Sequence, residues 1–426
     1  MASPADVLVV GAGPAGATAA RALALGGARI RLLDRARFPR NKPCGGGITV
    51  RALVRFPYLP AALGRIATHR VSRLHLEGPS GRSVVLSSPA PAVVLVRRIE
   101  FDDLLVRLAR EAGAELIENA WVSQVRSDDD DVRVVTRDGR EFAAGYLVAA
   151  DGVNGVITRR LGIHLGWDAS AVALDMMEET PDTRLRTLSP ETLWISYGAG
   201  GTDGYGYVFP KRDHVNVGIG CLLRHFRDAV SESPYGMQRR FVADLRRRGV
   251  VEGQSCRSDF TPFHVPVGGP IEQTWRGRVL VAGDAGGFVN AYTAEGIYYA
   301  MVSGERAGRA ILDDAALDDP RCGTTAGPRY ERGWRGEIGV ELRDSVLIQR
   351  YLFRDAGRID GVVGGASNHR EVAGLIIAYA MGTLSYREVR RRLLAQFPRV
   401  AWRLARETID TTGVGPARRT FKECDS

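Results

Sequence analysis

The residues best placed to do chemistry lie near the start of the chain. Gly11-Ala12-Gly13-Pro14-Ala15-Gly16 carries glycines at three fixed offsets behind an apolar run, the spacing by which a strand turns into a helix while its backbone meets a pyrophosphate. The first glycine permits the turn, the second admits the diphosphate and the third lets helix pack on strand. Asp34 follows about 20 residues on, where a carboxylate accepts hydrogen bonds from ribose hydroxyls and repels a 2'-phosphate. This predicts a site for FAD or NAD rather than NADP. Further on, Cys44 precedes Gly45, Gly46 and Gly47, a thiol beside backbone that can lie close to a ligand. Tyr205, Tyr207 and Phe209 alternate ahead of Pro210, so on one strand they share a face and can form an aromatic wall.

The elements that must hold these residues follow from periodicity. Asp6 to Val10 reads as a buried strand, Pro14 to Gly26 as a helix and Ala28 to Leu33 as a second strand, one βαβ unit. Ile99 to Ala112 is an amphipathic helix, followed by strands near 115–125, 132–136 and 146–150. Asp128 to Asp131 mark a solvated hairpin tip. From about Ala171 to Cys221 strands alternate without helices, which predicts a separate sheet. A strand at Arg278 to Val281 and a helix from about Gly296 to Leu312 return to the nucleotide-binding part. Beyond Arg329 the pattern is helical and arginine-rich.

Composition bounds the classes. With 45% hydrophobic and 25% charged residues in a chain of 426, the protein is an ordinary globular one with room for two or three domains. Glycine is in excess at 50 residues and clustered, as expected where backbone approaches a ligand. The net charge of +9 is spread over scattered arginines with no aromatic interleaving, so nucleic acid is not expected as a partner, while peripheral contact with a membrane is open. Cys44, Cys221, Cys256, Cys322 and Cys424 show no metal-ligand spacing, so no metal site is expected. A reducing, cytoplasmic location follows, with no leader ahead of the first strand.

Two further segments, Val148-Ala149-Ala150-Asp151-Gly152 and Gly283-Asp284-Ala285-Gly286, give the chain its resemblance to the flavoprotein hydroxylase superfamily, whose GxGxxG, DG and GD motifs occur in this order. The resemblance implies FAD. It places Asp284, Gly296 and Ile297 on the cofactor, with the helix that begins there aimed at the flavin, where its N-terminus favours negative charge. It also places Arg98 near the pyrophosphate and Val122 at the adenine; Arg35 follows the ribose carboxylate Asp34. Within that superfamily, Lys42-Pro43-Cys44-Gly45-Gly46-Gly47 and Tyr205-Gly206-Tyr207-Val208-Phe209-Pro210 resemble segments of the geranylgeranyl reductases, as does the basic helical tail including Gly382 to Leu394. The chain departs from that pattern at Thr202 and Ala291, where the family has proline, at Tyr207, where it has tryptophan, and at Ala294, where it has glycine.

The fold this implies is α/β: a Rossmann-like FAD-binding domain (1–75, 93–165 and 276–315), an inserted antiparallel β-sheet substrate domain (76–92 and 166–275) and a C-terminal helical region (316–426). The implied activity is reduction of an isoprenoid carbon–carbon double bond in an apolar tunnel, with hydride from reduced flavin and a proton from Cys44, Tyr205 or water. Tyr205, Tyr207, Phe209 and Pro210 would meet the substrate, while Cys44, Gly45 and Gly47 would lie at the flavin. A monooxygenase or halogenase of the same superfamily is the alternative. With no second GxGxxG in strand-to-helix context, electrons must come from a transient donor such as NADPH or ferredoxin.

Overall fold

The computed structural model describes residues 5–91, 93–314, 324–368 and 370–380, with isolated positions 384, 387–389, 391–392 and 395. The Gly382 to Leu394 segment falls largely outside these residues, as do Cys322 and Cys424.

The first strand, Ala5–Val10, lies at the centre of a sheet because its run of apolar side chains can be covered on both sides: Val7, Leu8 and Val9 are all fully buried. Strands covered on both faces read as continuous apolar runs. Around it the order is Trp275–Arg276, Val279–Val281, Glu141–Ala149, Ala5–Val10, Ile30–Leu33 and Glu115–Ile117. All are parallel to their neighbours except Trp275–Arg276. A hairpin of Val122–Ser127 and Val132–Thr136 pairs antiparallel onto Glu141–Ala149. Its tip is the aspartate run, where Asp128 accepts hydrogen bonds from the amides of Asp130 and Asp131.

Three helices pack together on one face. Pro14–Leu25 starts with Pro14 in its first turn, where the missing amide costs nothing. It packs against Ile297–Leu312 so closely that a Cβ on Gly304 would lie 2.1 Å from the Ala15 carbonyl oxygen. Arg98–Glu111 packs beside Pro14–Leu25, burying Phe101, Leu104, Leu105 and Ala109.

A second, seven-stranded sheet runs Phe260–Pro266, Val172–Pro181, His214–Leu222, Tyr205–Pro210, Thr192–Tyr197, Arg73–Glu77 and Ser83–Ser87. The expected boundary at residue 75 therefore falls inside a strand that belongs to this sheet. Its outer face is covered by Pro234–Arg247, which buries Met237, Phe241, Val242 and Leu245, and a shorter helix, Leu223–Ala229, precedes it. Neither helix was anticipated in a domain read as sheet. A small third sheet joins Gly47–Thr49, Val93–Val96 and Thr68–Val71. The tail forms Val340–Leu352, Ala356–Asn368 and Arg370–Ala380, and the glycine pair at Gly361 and Gly365 lies inside the second of these rather than in a nucleotide-binding turn.

Candidate active site

Between the C-terminal edge of the parallel sheet and the inner face of the seven-stranded sheet lies a cavity of about 1170 Å³. That exceeds the ~300–1,000 Å³ usual for one small ligand, and its two ends differ in chemistry. At one end it is lined by Gly11, Gly13, Pro14, Ala15, Asp34, Arg35, Arg98, Val122, Asp284, Gly296 and Ile297. Gly16 is absent from the lining because it is used for packing: a Cβ there would sit 1.8 Å from the Gly11 carbonyl oxygen. Gly13 is the reverse case, with no protein atom closer than 3.6 Å to where its Cβ would be. The space at Gly13 is thus reserved for something other than protein.

Asp34 accepts from the amides of Ala12, at 2.7 Å, and Ala36, at 2.9 Å, which holds the carboxylate at the sheet edge with lone pairs left for ribose hydroxyls. Arg98 is buried, bidentate to Asp102 at 2.7 and 2.9 Å. Burial opposes the Asp102 charge, but Arg98 and Arg40 prevail and hold its carboxyl below the usual range. Asp151 accepts from the amides of Val156 and Ile157, so it shapes the loop beneath the site. The helices Pro14–Leu25 and Ile297–Leu312 both begin without a side-chain cap, leaving N-terminal amides to a ligand. These features fit FAD, whose diphosphate, ribose and flavin would meet Gly13, Asp34 and the Gly296 helix end in turn.

The other end is apolar. Tyr205, Tyr207 and Phe209 all face the cavity, with ring centroids 6.2 and 4.9 Å apart in sequence; Pro210 does not line it. Across from them lie Cys44, Gly45, Gly46 and Gly47. Gly45 has no room for a side chain because the Phe209 ring occupies it, 2.5 Å from the Cβ position. Gly46 has φ +70°, and a Cβ there would lie 2.1 Å from the Val96 carbonyl oxygen. The Cys44 Sγ accepts from the Gly46 amide at 3.4 Å. The Tyr205 hydroxyl donates to the Thr293 carbonyl at 2.8 Å, and burial first of all raises the pKa of Tyr205 and of Tyr207 well above the ordinary value. The far end is closed by Tyr197, Tyr292, Phe353, Leu352, Ile376 and Tyr379; the tail, whose sequence is helical and arginine-rich, turns the last four of these side chains inward.

Several residues here carried no role in the sequence reading. Lys42 places its Nζ 3.4 Å over the Phe263 ring, and burial together with Arg98 lowers its pKa. Lys211 pairs with Glu179 at 2.5 Å, both nearly buried. Glu295 accepts from Thr49, and burial pushes it up to about 7. Asp175 accepts from Tyr207. A carboxylate in the midst of Val172-Ala173-Leu174-Asp175-Met176-Met177 was the available signal.

The departures have local reasons. Ala291 uses the amide that proline lacks, donating to Ser345 Oγ at 2.9 Å. Ala294 adopts φ +53°, where glycine would be relaxed. Thr202 donates to the Ala199 carbonyl and closes a turn.

Residues 4–310 match the family described as FAD binding domain. The chain is 30% identical over 355 residues to digeranylgeranylglycerophospholipid reductase 2 of Methanothermobacter thermautotrophicus, spanning 82% of this chain and 87% of that one. It is 31% identical over 370 residues to menaquinone reductase of Mycolicibacterium smegmatis, 82% and 86% of the two chains. It belongs to the FAD-dependent geranylgeranyl reductase family. Among solved structures, a geranylgeranyl bacteriochlorophyll reductase-like protein of Thermoplasma acidophilum superposes with a TM-score of 0.76 at 20% identity, over 92% of this chain and 99% of that one. A flavin-dependent brominase superposes at 0.69 and 19%, over 93% and 100%. Both share the fold. The protein is therefore an FAD-dependent oxidoreductase, and among the described residues no helix is long and apolar enough to cross a membrane and no cluster could hold a metal ion.

Proposed function

We propose that this member of the geranylgeranyl reductase family reduces carbon–carbon double bonds of an isoprenoid chain. The observation that carries this is the contact between the two motif segments: Phe209 of the aromatic strand fills the space over Gly45, so an apolar wall and the cysteine–glycine segment bound one compartment. A prenyl chain entering it gains about 0.8 kcal/mol for each CH₂ removed from water and needs no polar partner. FAD, when bound, supplies the hydride. This chain's residues bind and orient the alkene and exclude water from it. The electrons come from an external donor, NADPH or a protein carrier.

Relatives named for digeranylgeranylglycerophospholipid and menaquinone reduction support a long, lipid-borne substrate. At the cavity rim Leu347 and Tyr351 are each 59% exposed, beside exposed Arg343, Arg350 and Arg354; this rim meets the lipid surface, which co-sedimentation with anionic vesicles tests. For the reaction itself, dithionite-reduced enzyme is incubated under argon with a panel of prenyl diphosphates, ether lipids, chlorophyll precursors and menaquinones. A product heavier by two hydrogens, with return of oxidised flavin, is expected. Oxygen- or halide-dependent turnover of another substrate, with no reaction on the panel, would establish the monooxygenase or halogenase instead.

A further inference from the structure

Protonation of an isolated alkene needs an acid inside the apolar compartment, and beside the aromatic strand the cavity wall offers Asp175. Asp175 sits on Val172–Pro181, the strand next to the edge strand Phe260–Pro266, on the face that Ala173 also turns to the cavity. Its cross-strand neighbours are Gly220 and Phe263. Neither offers a charge. Tyr207 lies one strand further away, opposite Gly218. A Cβ on Gly218 would be 2.4 Å from the Tyr207 hydroxyl, so the ring crosses that bare backbone to reach Asp175. There its hydroxyl bonds both carboxyl oxygens, at 3.1 and 3.2 Å. On its other side Tyr207 packs on Phe209, whose ring abuts Gly45. The hydroxyl thus lies within one compartment with the Cys44–Gly47 segment.

Among the described residues, Tyr205, Cys44 and Lys42 are bonded to no carboxyl that could restore a proton, and Glu295 is turned to Thr49 and the Arg51 charge. Tyr205 donates to the Thr293 carbonyl. Cys44 accepts from Gly46 and is bonded by the Arg98 side chain. Lys42, the cation whose charge reaches Asp175, is held over Phe263 and directed to the Pro43 carbonyl.

Resting on the reductase reading, we propose that the Tyr207 hydroxyl delivers the proton to the substrate carbon and that Asp175 is the proton store behind it. The alkene π pair takes the hydroxyl proton to form one C–H bond, and the phenol oxygen takes the proton of the Asp175 carboxyl. The other carbon would receive a hydride, with its two electrons, of the kind that bound, reduced FAD would supply. Water then reprotonates the Asp175 carboxylate. Burial pushes Asp175 up to about 6, against the Tyr207 hydrogen bond and the Lys42 charge, and a general acid works best with a pKa near the working pH. The step is therefore fast below about pH 6 and slows above it.

The test pairs a spectroscopic titration with single-turnover kinetics on holoenzyme. In infrared difference spectra of oxidised, substrate-free enzyme, a protonated carboxyl band titrating near pH 6 is expected in wild type. It should be absent in Asp175→Asn and shifted to higher pH in Tyr207→Phe, which removes the hydrogen bond that favours the carboxylate. In stopped-flow reoxidation of reduced enzyme by a prenyl substrate, both variants should slow by about 100-fold or more, and Asp175→Asn should lose the inflection near pH 6. Asp175→Glu should recover part of the rate together with a shifted inflection, which a merely structural loss would not produce. Three outcomes overturn the inference: no such carboxyl band in wild type, an Asp175→Asn rate within about threefold of wild type, or a change confined to KM. Failure of wild-type reduced enzyme to react with any prenyl compound overturns the reductase reading, and this inference with it.

Discussion

Gly13 and Gly16 belong to one motif, yet substitution by alanine should separate binding from folding. At Gly16 the new methyl would lie 1.8 Å from the Gly11 carbonyl oxygen and 3.2 Å from Val9. Backbone cannot step aside as a side chain can, so the cost is at the top of the ~1–3 kcal/mol range for overpacking or above it. At Gly13 the nearest atom is the Arg40 guanidinium at 3.6 Å, and the backbone, φ −73° and ψ −173°, suits alanine. Gly→Ala at a compatible conformation stabilises by about 0.4–1 kcal/mol through the unfolded chain. Gly13→Ala apoprotein should therefore be as stable as wild type or slightly more so. Its methyl, however, enters the space for the diphosphate. If that clash costs the same ~1–3 kcal/mol, FAD binds about 5- to 150-fold more weakly, at 1.4 kcal/mol per tenfold. Urea denaturation of both apoproteins and FAD titration followed by flavin fluorescence measure the two effects. The reasoning is refuted if Gly13→Ala loses apoprotein stability as Gly16→Ala does, or if it binds FAD as tightly as wild type.

Three other perturbations follow. Ala294→Gly removes a left-handed Cβ conflict worth about 1–2 kcal/mol and should raise the denaturation midpoint, less the entropy glycine gives back. Lys211→Met leaves Glu179 buried without its partner and should cost about 3–5 kcal/mol, whereas Lys211→Met with Glu179→Leu should cost far less, as a double-mutant cycle of urea midpoints would show. Glu178 is fully buried, with Oε1 unpartnered, and burial pushes it up to about 7. The folded state then binds more protons than the unfolded one between about pH 4 and pH 7, so stability from this group is present at acid pH and falls as pH rises through that window. Glu178→Gln should flatten that slope, and an unchanged pH dependence of Tm would contradict the assignment.

What could be read from the sequence was what local spacing determines. The turn at Gly11 to Gly16, the helix after it and the alternation of Tyr205, Tyr207 and Phe209 each follow from neighbours a few residues apart. Asp175, Lys211 and Glu179 acquire their meaning only when strands far apart in sequence are laid side by side. Lys211 directly follows the strand Tyr205–Pro210, and the register that sets Phe209 opposite Asn216 puts its charge inside, against Glu179. The helix Pro234–Arg247 had its signal in Met237, Phe241, Val242 and Leu245 at helical spacing behind Ser233, whose hydroxyl accepts from the Gly236 amide. That signal was outweighed by the strands before it. The tail's helical pattern was visible, but which of its faces would be covered depends on the cavity it closes.

The same register explains why the second sheet and the cofactor domain have to be considered together. Side chains on a strand alternate, so a slip of one residue between Tyr205–Pro210 and His214–Leu222 would turn the whole aromatic wall to the opposite face. Two features oppose the slip from the cavity side. Gly218 can lie under Tyr207 only in the present pairing, because any other residue of that strand except Gly220 would bring a side chain into the ring. Phe209 is seated on Gly45, just before the strand Gly47–Thr49 of the small third sheet. The cysteine–glycine segment therefore holds the aromatic wall in register. A bulky side chain at Gly45 should disturb the aromatic strand before it disturbs FAD, giving a holoenzyme with an intact flavin spectrum and impaired reoxidation by substrate.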